Sequence, residues 1–171
     1  MLRLESFRAL GATPIFAAMA FACGAALGLA LLGQYAFEMR PCPWCILQRL
    51  IFIVIGVVCL LGAFVGARAA RLLLGIVTLV LALLGGAAAL WQHGVAAKSS
   101  SCNLTLADKV LNALGVEALM PSLFQITANC ADSAVRVLGI AFEHWSLALF
   151  VLLALGAASV LRKLIRPQIR R

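Results

Sequence analysis

Two cysteines two residues apart, Cys42-Pro43-Trp44-Cys45, stand at the mouth of a long apolar run, and Gln48 and Arg49 follow them. Pro43 suits the first turn of a helix, where its missing N–H is not needed. Cys42 then falls near the N-cap and Cys45 in the first turn. Thiols this close can join in a small-loop disulfide, and the positive end of the helix favours a thiolate. So small a loop adds little stability through chain entropy, which points to a reactive pair rather than a clamp. Arg49 lies four residues after Cys45 and shares its helix face. A second pair, Cys102 and Cys130, has 27 residues between its members. A zinc site would want two close-spaced pairs, and only one is close-spaced. No metal is therefore expected, and redox chemistry and structural disulfides both stay open.

The elements that carry these residues belong to a membrane protein. Of 171 residues, 64% are hydrophobic and 12% charged, a balance that a soluble domain does not show. The net charge of +8 does not indicate nucleic acid. The basic residues flank apolar runs, as topology signals do, instead of alternating with aromatics on one face. The runs cover 13–33, 46–67, 72–90 and 145–161, the last extended by Ala141 and Phe142. Each can cross a hydrocarbon core of about 30 Å at 1.5 Å per residue. The first is longer than the apolar core of a signal peptide and is expected to be a retained span. Lipid leaves no partner for open backbone, so the spans are helices. The expected fold is an all-α four-transmembrane-helix bundle, a single domain over 1–171, with outward loops at 34–45 and 91–144.

Charge sets the orientation. Arg3, Arg8, Arg68, Arg71, Arg162, Lys163, Arg166, Arg170 and Arg171 share one side, and Arg40, Arg49, Lys98, Lys109 and Arg136 lie toward the other. The positive-inside bias puts both termini in the cytoplasm, and all four loop cysteines then face an oxidising compartment that permits disulfides. In the second loop, Thr105 and Asp108 spell a capping box. Leu106, Val110 and Leu114, with Leu111, then recur at helical spacing. A short amphipathic helix lying on the membrane surface is expected there, with another helical turn from Pro121 through Leu123 and Phe124. Cys23 and Cys59, deep in the first and second spans, read as small buried hydrophobes. Trp44, Trp91, His144 and Trp145 read as interface residues. An intramembrane Arg49 is a functional residue by default, the alternative being a snorkelling anchor. The chain carries neither a dinucleotide glycine fingerprint nor a C-x-x-C-H haem site.

C-x-x-C-x-x-x-Arg at the start of a second span, Trp91-Gln92-His93 ending the third and Pro121-Ser122-Leu123-Phe124 ahead of Cys130 together carry a resemblance. The chain resembles the disulfide bond formation protein B (DsbB) family, bacterial inner-membrane thiol oxidases linked to quinone, over nearly its whole length. The resemblance implies a reduced periplasmic DsbA-type partner that attacks a Cys102–Cys130 disulfide, with Cys102 taking the mixed disulfide. Cys130 would then attack Cys42, and Cys45 would leave as a thiolate and pass electrons to ubiquinone or menaquinone. Arg49 would polarise a quinone carbonyl, and His93 would bond or protonate the other. Gln48 stands where some members of the family carry Glu, which removes a proton acceptor. A monomer is expected. Two other classes would also use these cysteines: a metal-ion carrier with thiols along its path, for which Cys23 and Cys59 are the candidates, and a scaffold with inert disulfides.

Overall fold

The computed structural model describes residues 2–94, 105–128, 136–137 and 139–165. Cys102 and Cys130 lie outside the described residues. Four long helices dominate: α1 (Leu2–Ala36), α2 (Pro43–Phe64), α3 (Arg68–Gly94) and α7 (Phe142–Ile165), with α4 (Leu106–Leu114), α5 (Val116–Leu119) and α6 (Pro121–Phe124) between the third and the last. The apolar stretches of the long helices, Gly11–Ala36, Pro43–Phe64, Arg68–Gly94 and Phe142–Ile165, are each long enough to cross a membrane, at least about 33 Å at 1.5 Å per residue. The expected all-α four-span bundle is therefore what the chain forms. A two-residue antiparallel ladder, β1 (Arg136–Val137) with β2 (Ile140–Ala141), leads into α7.

Helix limits differ from the apolar windows for local reasons. Pro43 occupies the first turn of α2, so this helix begins before the apolar run at Ile46. It ends at Phe64, because Val65 turns extended while its N–H still bonds Leu61 O (2.9 Å). Helices α3 and α7 likewise extend into polar sequence at both ends, since hydropathy marks the lipid-facing length and not the hydrogen-bonded length.

The bundle core runs from Ala12, Phe16, Met19 and Cys23 of α1 through Phe52, Ile55 and Cys59 of α2 to Phe150, Leu153 and Val160 of α7. Phe52 and Phe150 stack with ring centroids 4.3 Å apart. Glycines admit these rings: a Cβ at Gly62 would meet Phe16, and one at Gly85 would overlap the Phe150 ring. Small residues at helix contacts are the usual means of close approach where lipid supplies no hydrophobic drive. Cys23 and Cys59 are buried in this core.

One end of the bundle is tied by cations. Arg71 donates to Val65 O (2.5 Å) and Thr13 Oγ1 (3.0 Å), Arg68 to Leu164 O (2.7 Å), and Lys163 to Gly11 O (3.2 Å). Arg68 and Arg71 thus satisfy carbonyls at the C-terminal ends of α7 and α2. Cys42 and Cys45 sit at the opposite end.

There the second loop packs on α2. Thr105 caps α4 through the expected box, accepting from Asp108 N (3.3 Å) while its own N–H donates to Asp108 Oδ2 (2.8 Å), and Gly115 closes the helix at φ 62°. The buried side of α4 is Ala107 and Leu111, not the Leu106–Val110–Leu114 line that the spacing favours; Leu106 and Leu114 are 63% and 55% exposed. Leu111 and Phe124 bury Ile46, while Ala107 packs with Cys42 and Trp44. The helix has one apolar line on the bundle and another facing outward, and periodicity alone does not tell which of the two packs.

Gly85→Ala is expected to lower the thermal midpoint of the protein in detergent, at a cost of about 1–3 kcal/mol, because the added methyl overpacks Phe150. Gly24→Ala, with nothing within 4 Å of the added Cβ, is expected to be neutral or stabilising by up to about 1 kcal/mol. Equal midpoints for the two variants would contradict the packing described.

Candidate functional site

Cys42 is the N-cap of α2. Its backbone is extended (φ −90°, ψ 168°), Pro43 takes the first turn, and Cys42 Sγ accepts a hydrogen bond from the Cys45 backbone N–H at 3.3 Å. A helix N-terminus aimed at sulfur in this way favours negative charge there. The two sulfurs lie 2.8 Å apart, in hydrogen-bond contact. The Trp44 ring between them in sequence is buried against the bundle, whereas Trp91 is half exposed. Of the two, only Trp91 is placed as a belt aromatic.

Helix α3 brings a second layer. Gln92 Nε2 donates to Cys45 Sγ (3.3 Å), and Gln92 Oε1 accepts from Gln48 Nε2 (2.7 Å); both glutamines are buried. Two amides in series therefore direct an N–H at the sulfur. A hydrogen bond to a charged acceptor contributes about 1.5–3 kcal/mol, so this one favours a thiolate over a thiol.

Arg49 is 7% exposed, enclosed by protein. Its Nη1 donates to Gln34 Oε1 (2.5 Å) and Leu123 O (3.2 Å), and its Nη2 to Ala30 O (3.3 Å). Every one of these acceptors is neutral, and among the described residues no carboxylate pairs with it. The cation is hydrogen-bonded but not neutralised, a standing preference for negative charge nearby.

Cys45, Gln48, Arg49 and Gln92 all line one cavity of about 240 Å³, closed on other sides by α1 residues such as Ala26 and Ala30 and by Phe52 and Leu149. Its size is below the roughly 300 Å³ at which drug-sized pockets begin, which suits a single small ring system. His93 is not among the lining residues. Its ring is 53% exposed, and Nδ1 lies 2.9 Å from Oε1 of Glu143, a buried carboxylate that does line the cavity. The His144 ring meets His93 edge-on at 4.4 Å. The structure thus brings Cys42, Cys45, Gln48 and Arg49 together and sets His93 one residue outside them.

Gln92, Gln34 and Glu143 are absent from the residues that sequence reasoning selects for the site. Signals for them exist. Gln34 follows directly on an apolar span, and Glu143 is one of six acidic residues in the chain and sits beside the fourth span. Polar side chains so placed need partners.

A family model described as Disulfide bond formation protein DsbB matches residues 12–160. The chain belongs to the DsbB family. It is similar to Disulfide bond formation protein B 1 of Pseudomonas syringae pv. syringae (strain B728a), 35% identical over 149 residues that cover 85% of this chain and 87% of that protein. It is also similar to Disulfide bond formation protein B of Herminiimonas arsenicoxydans, at 33% over 144 residues, 83% of this chain and 90% of that protein. Disulfide bond formation protein B of Aromatoleum aromaticum (strain DSM 19018 / LMG 30748 / EbN1) matches over 164 residues at 29% identity, 94% of this chain and 98% of that protein. Together with the four apolar helices, membership in the DsbB family makes this a multi-pass inner-membrane protein of disulfide bond formation. Disulfide oxidoreductase activity accords with the two adjacent cysteine sulfurs.

In protein whose other cysteines are replaced, Gln92→Ala is expected to slow alkylation of Cys45 at neutral pH by about tenfold, the lower end of what a hydrogen bond to a charged acceptor contributes. An unchanged rate would remove the paired amides from the chemistry of this sulfur.

Proposed function

We propose that the protein reoxidises a periplasmic DsbA-type thiol oxidase and delivers the electrons to a membrane quinone, ubiquinone or menaquinone. The observation that carries this reading is the shared cavity: one cysteine of the close-spaced pair and an arginine with no carboxylate partner among the described residues face one small apolar chamber at the end of a transmembrane bundle. The residues present fit a quinone. Arg49 would hold a ring oxygen, Phe52 and Leu149 would bound the ring, and Glu143, paired with His93, would be a further polar group of the cavity wall. A quinone supplies a two-electron acceptor that ends as quinol; the chain supplies the rest.

In this reading the partner's dithiol attacks the Cys102–Cys130 disulfide, with Cys102 forming the mixed disulfide. The partner leaves oxidised, and Cys102 and Cys130 are left as thiols. Cys130 attacks Cys42 in a Cys42–Cys45 disulfide, and Cys45 is released as a thiolate. The helix terminus and the Gln48–Gln92 amides hold its charge while two electrons leave the cysteines. Closure of the Cys42–Cys45 and Cys102–Cys130 bonds restores the protein. The net change is partner dithiol plus quinone to partner disulfide plus quinol. Contact between the loops supports the middle step. Thr127 N donates to Pro41 O (3.1 Å), next to Cys42, and three residues of chain from Thr127 reach at most about 11 Å, which bounds the distance to Cys130. We place both termini in the cytoplasm and the four cysteines on the periplasmic side, in a monomer. Coupling to quinone answers an energetic need, since a DsbA-type partner is a strong oxidant that an ordinary structural disulfide cannot regenerate.

Steady-state quinone reduction with a reduced DsbA-type partner tests this. Cys42→Ser, Cys45→Ser, Cys102→Ser and Cys130→Ser are each expected to abolish turnover, and Cys23→Ala and Cys59→Ala to retain it. Turnover by any of the first four would break the relay. Arg49→Ala is expected to raise KM for quinone at least tenfold, as the loss of a charged hydrogen bond implies; an unchanged KM would return Arg49 to a structural role.

A further inference from the structure

At the outer end of the bundle, His93 in the last turn of α3 meets Glu143 and His144 in the first turn of α7. Each offers one ligand atom, and these atoms lie within 4.8 Å of one another. We propose that this cluster is a binding site for a divalent transition-metal ion of the zinc class. Two imidazoles and one carboxylate form a ligand set that suits Zn²⁺ and leaves a fourth position for water. Nitrogen ligands select against Mg²⁺ and Ca²⁺, which prefer oxygen alone.

Three features of the cluster go beyond mere proximity. Glu143 is buried while both histidines are exposed, so a hydrated ion has an open approach and a carboxylate waiting in low dielectric. A buried carboxylate is costly unless paired, and its ion-pair partner among the described residues is His93, which is charged only when protonated. A divalent ion would supply that compensation at any pH at which the histidines are neutral. The ligands also come from two helices that pack extensively on each other, so the set is held by the fold. Ligand atoms around a tetrahedral ion at about 2.1 Å stand closer together than 4.8 Å, and rotations of the two exposed rings close the difference. A bound ion would clamp α3 to α7 and draw the Glu143 carboxylate away from the cavity it lines.

The test uses purified full-length protein with its loop cysteines oxidised to disulfides and Cys23 and Cys59 replaced by alanine, so that no thiol competes. Cobalt(II) serves as the probe, followed by its visible absorption. One Co²⁺ per chain is expected, with the intense bands of four- or five-coordinate cobalt, no thiolate charge transfer, and displacement by Zn²⁺. His93→Ala/His144→Ala should weaken binding at least a hundredfold and Glu143→Gln at least tenfold, with helical circular dichroism unchanged. If the double variant does not fold, Zn²⁺ protection of His93 and His144 from acylation by diethyl pyrocarbonate, read by peptide mass spectrometry on the parent protein, decides instead. Absence of saturable binding below millimolar metal, binding that survives His93→Ala/His144→Ala in folded protein, or equal acylation with and without Zn²⁺ would each overturn the site.

Discussion

A guanidinium buried inside a transmembrane bundle must find acceptors, and much of the half of this protein that carries Cys42 and Cys45 is arranged around that demand. Arg49 takes one from the α1 backbone at Ala30, one from the Gln34 side chain and one from Leu123 in α6. The three bonds tie the first span, the second span and the second loop to a single point. Tyr35 Oη repeats the link one residue on, donating to Ser122 O at 2.7 Å. Since the loop bonds to the site's own arginine and buries Ile46 beneath Leu111 and Phe124, Thr127 is held against Pro41, next to Cys42.

The polar groups of the site form two systems with different tasks. One is neutral and directed: Gln92 and the α2 terminus point hydrogen-bond donors at the cysteine sulfurs, and Gln48 donates in turn to Gln92. The other is charged: Arg49 and Glu143 both line the cavity, and His93 pairs with Glu143 from outside it. Between them lies apolar wall, where low dielectric strengthens each electrostatic effect. The opposite end of the bundle, with Arg68, Arg71 and Lys163 on backbone carbonyls, serves packing and topology.

The sequence made the four spans legible because lipid imposes one solution on long apolar runs. It also showed the N-cap position of Cys42, through Pro43, and the Thr105–Asp108 box, since both are local rules. Pairings across helices were not legible. Nothing in the spacing says that Gln92 faces Cys45, 47 positions away, or that Gln34 and Leu123 share one guanidinium. Which side of α4 packs on the bundle was not legible either, because the helix has apolar residues on two sides and spacing does not tell them apart. Family membership narrows the chemistry to disulfide bond formation, and the cavity beside Cys45 is the place we propose for it.

The most direct measurement is a single anaerobic turnover of purified, fully oxidised protein with one equivalent of quinone and one equivalent of reduced DsbA-type partner, following quinone absorbance while thiols are trapped with an alkylating reagent. The account predicts one quinol formed for each partner disulfide, with both cysteine pairs of the protein oxidised again at the end. Partner thiols that remain, or partner disulfide formed without quinol while the four loop cysteines stay unchanged, would contradict it.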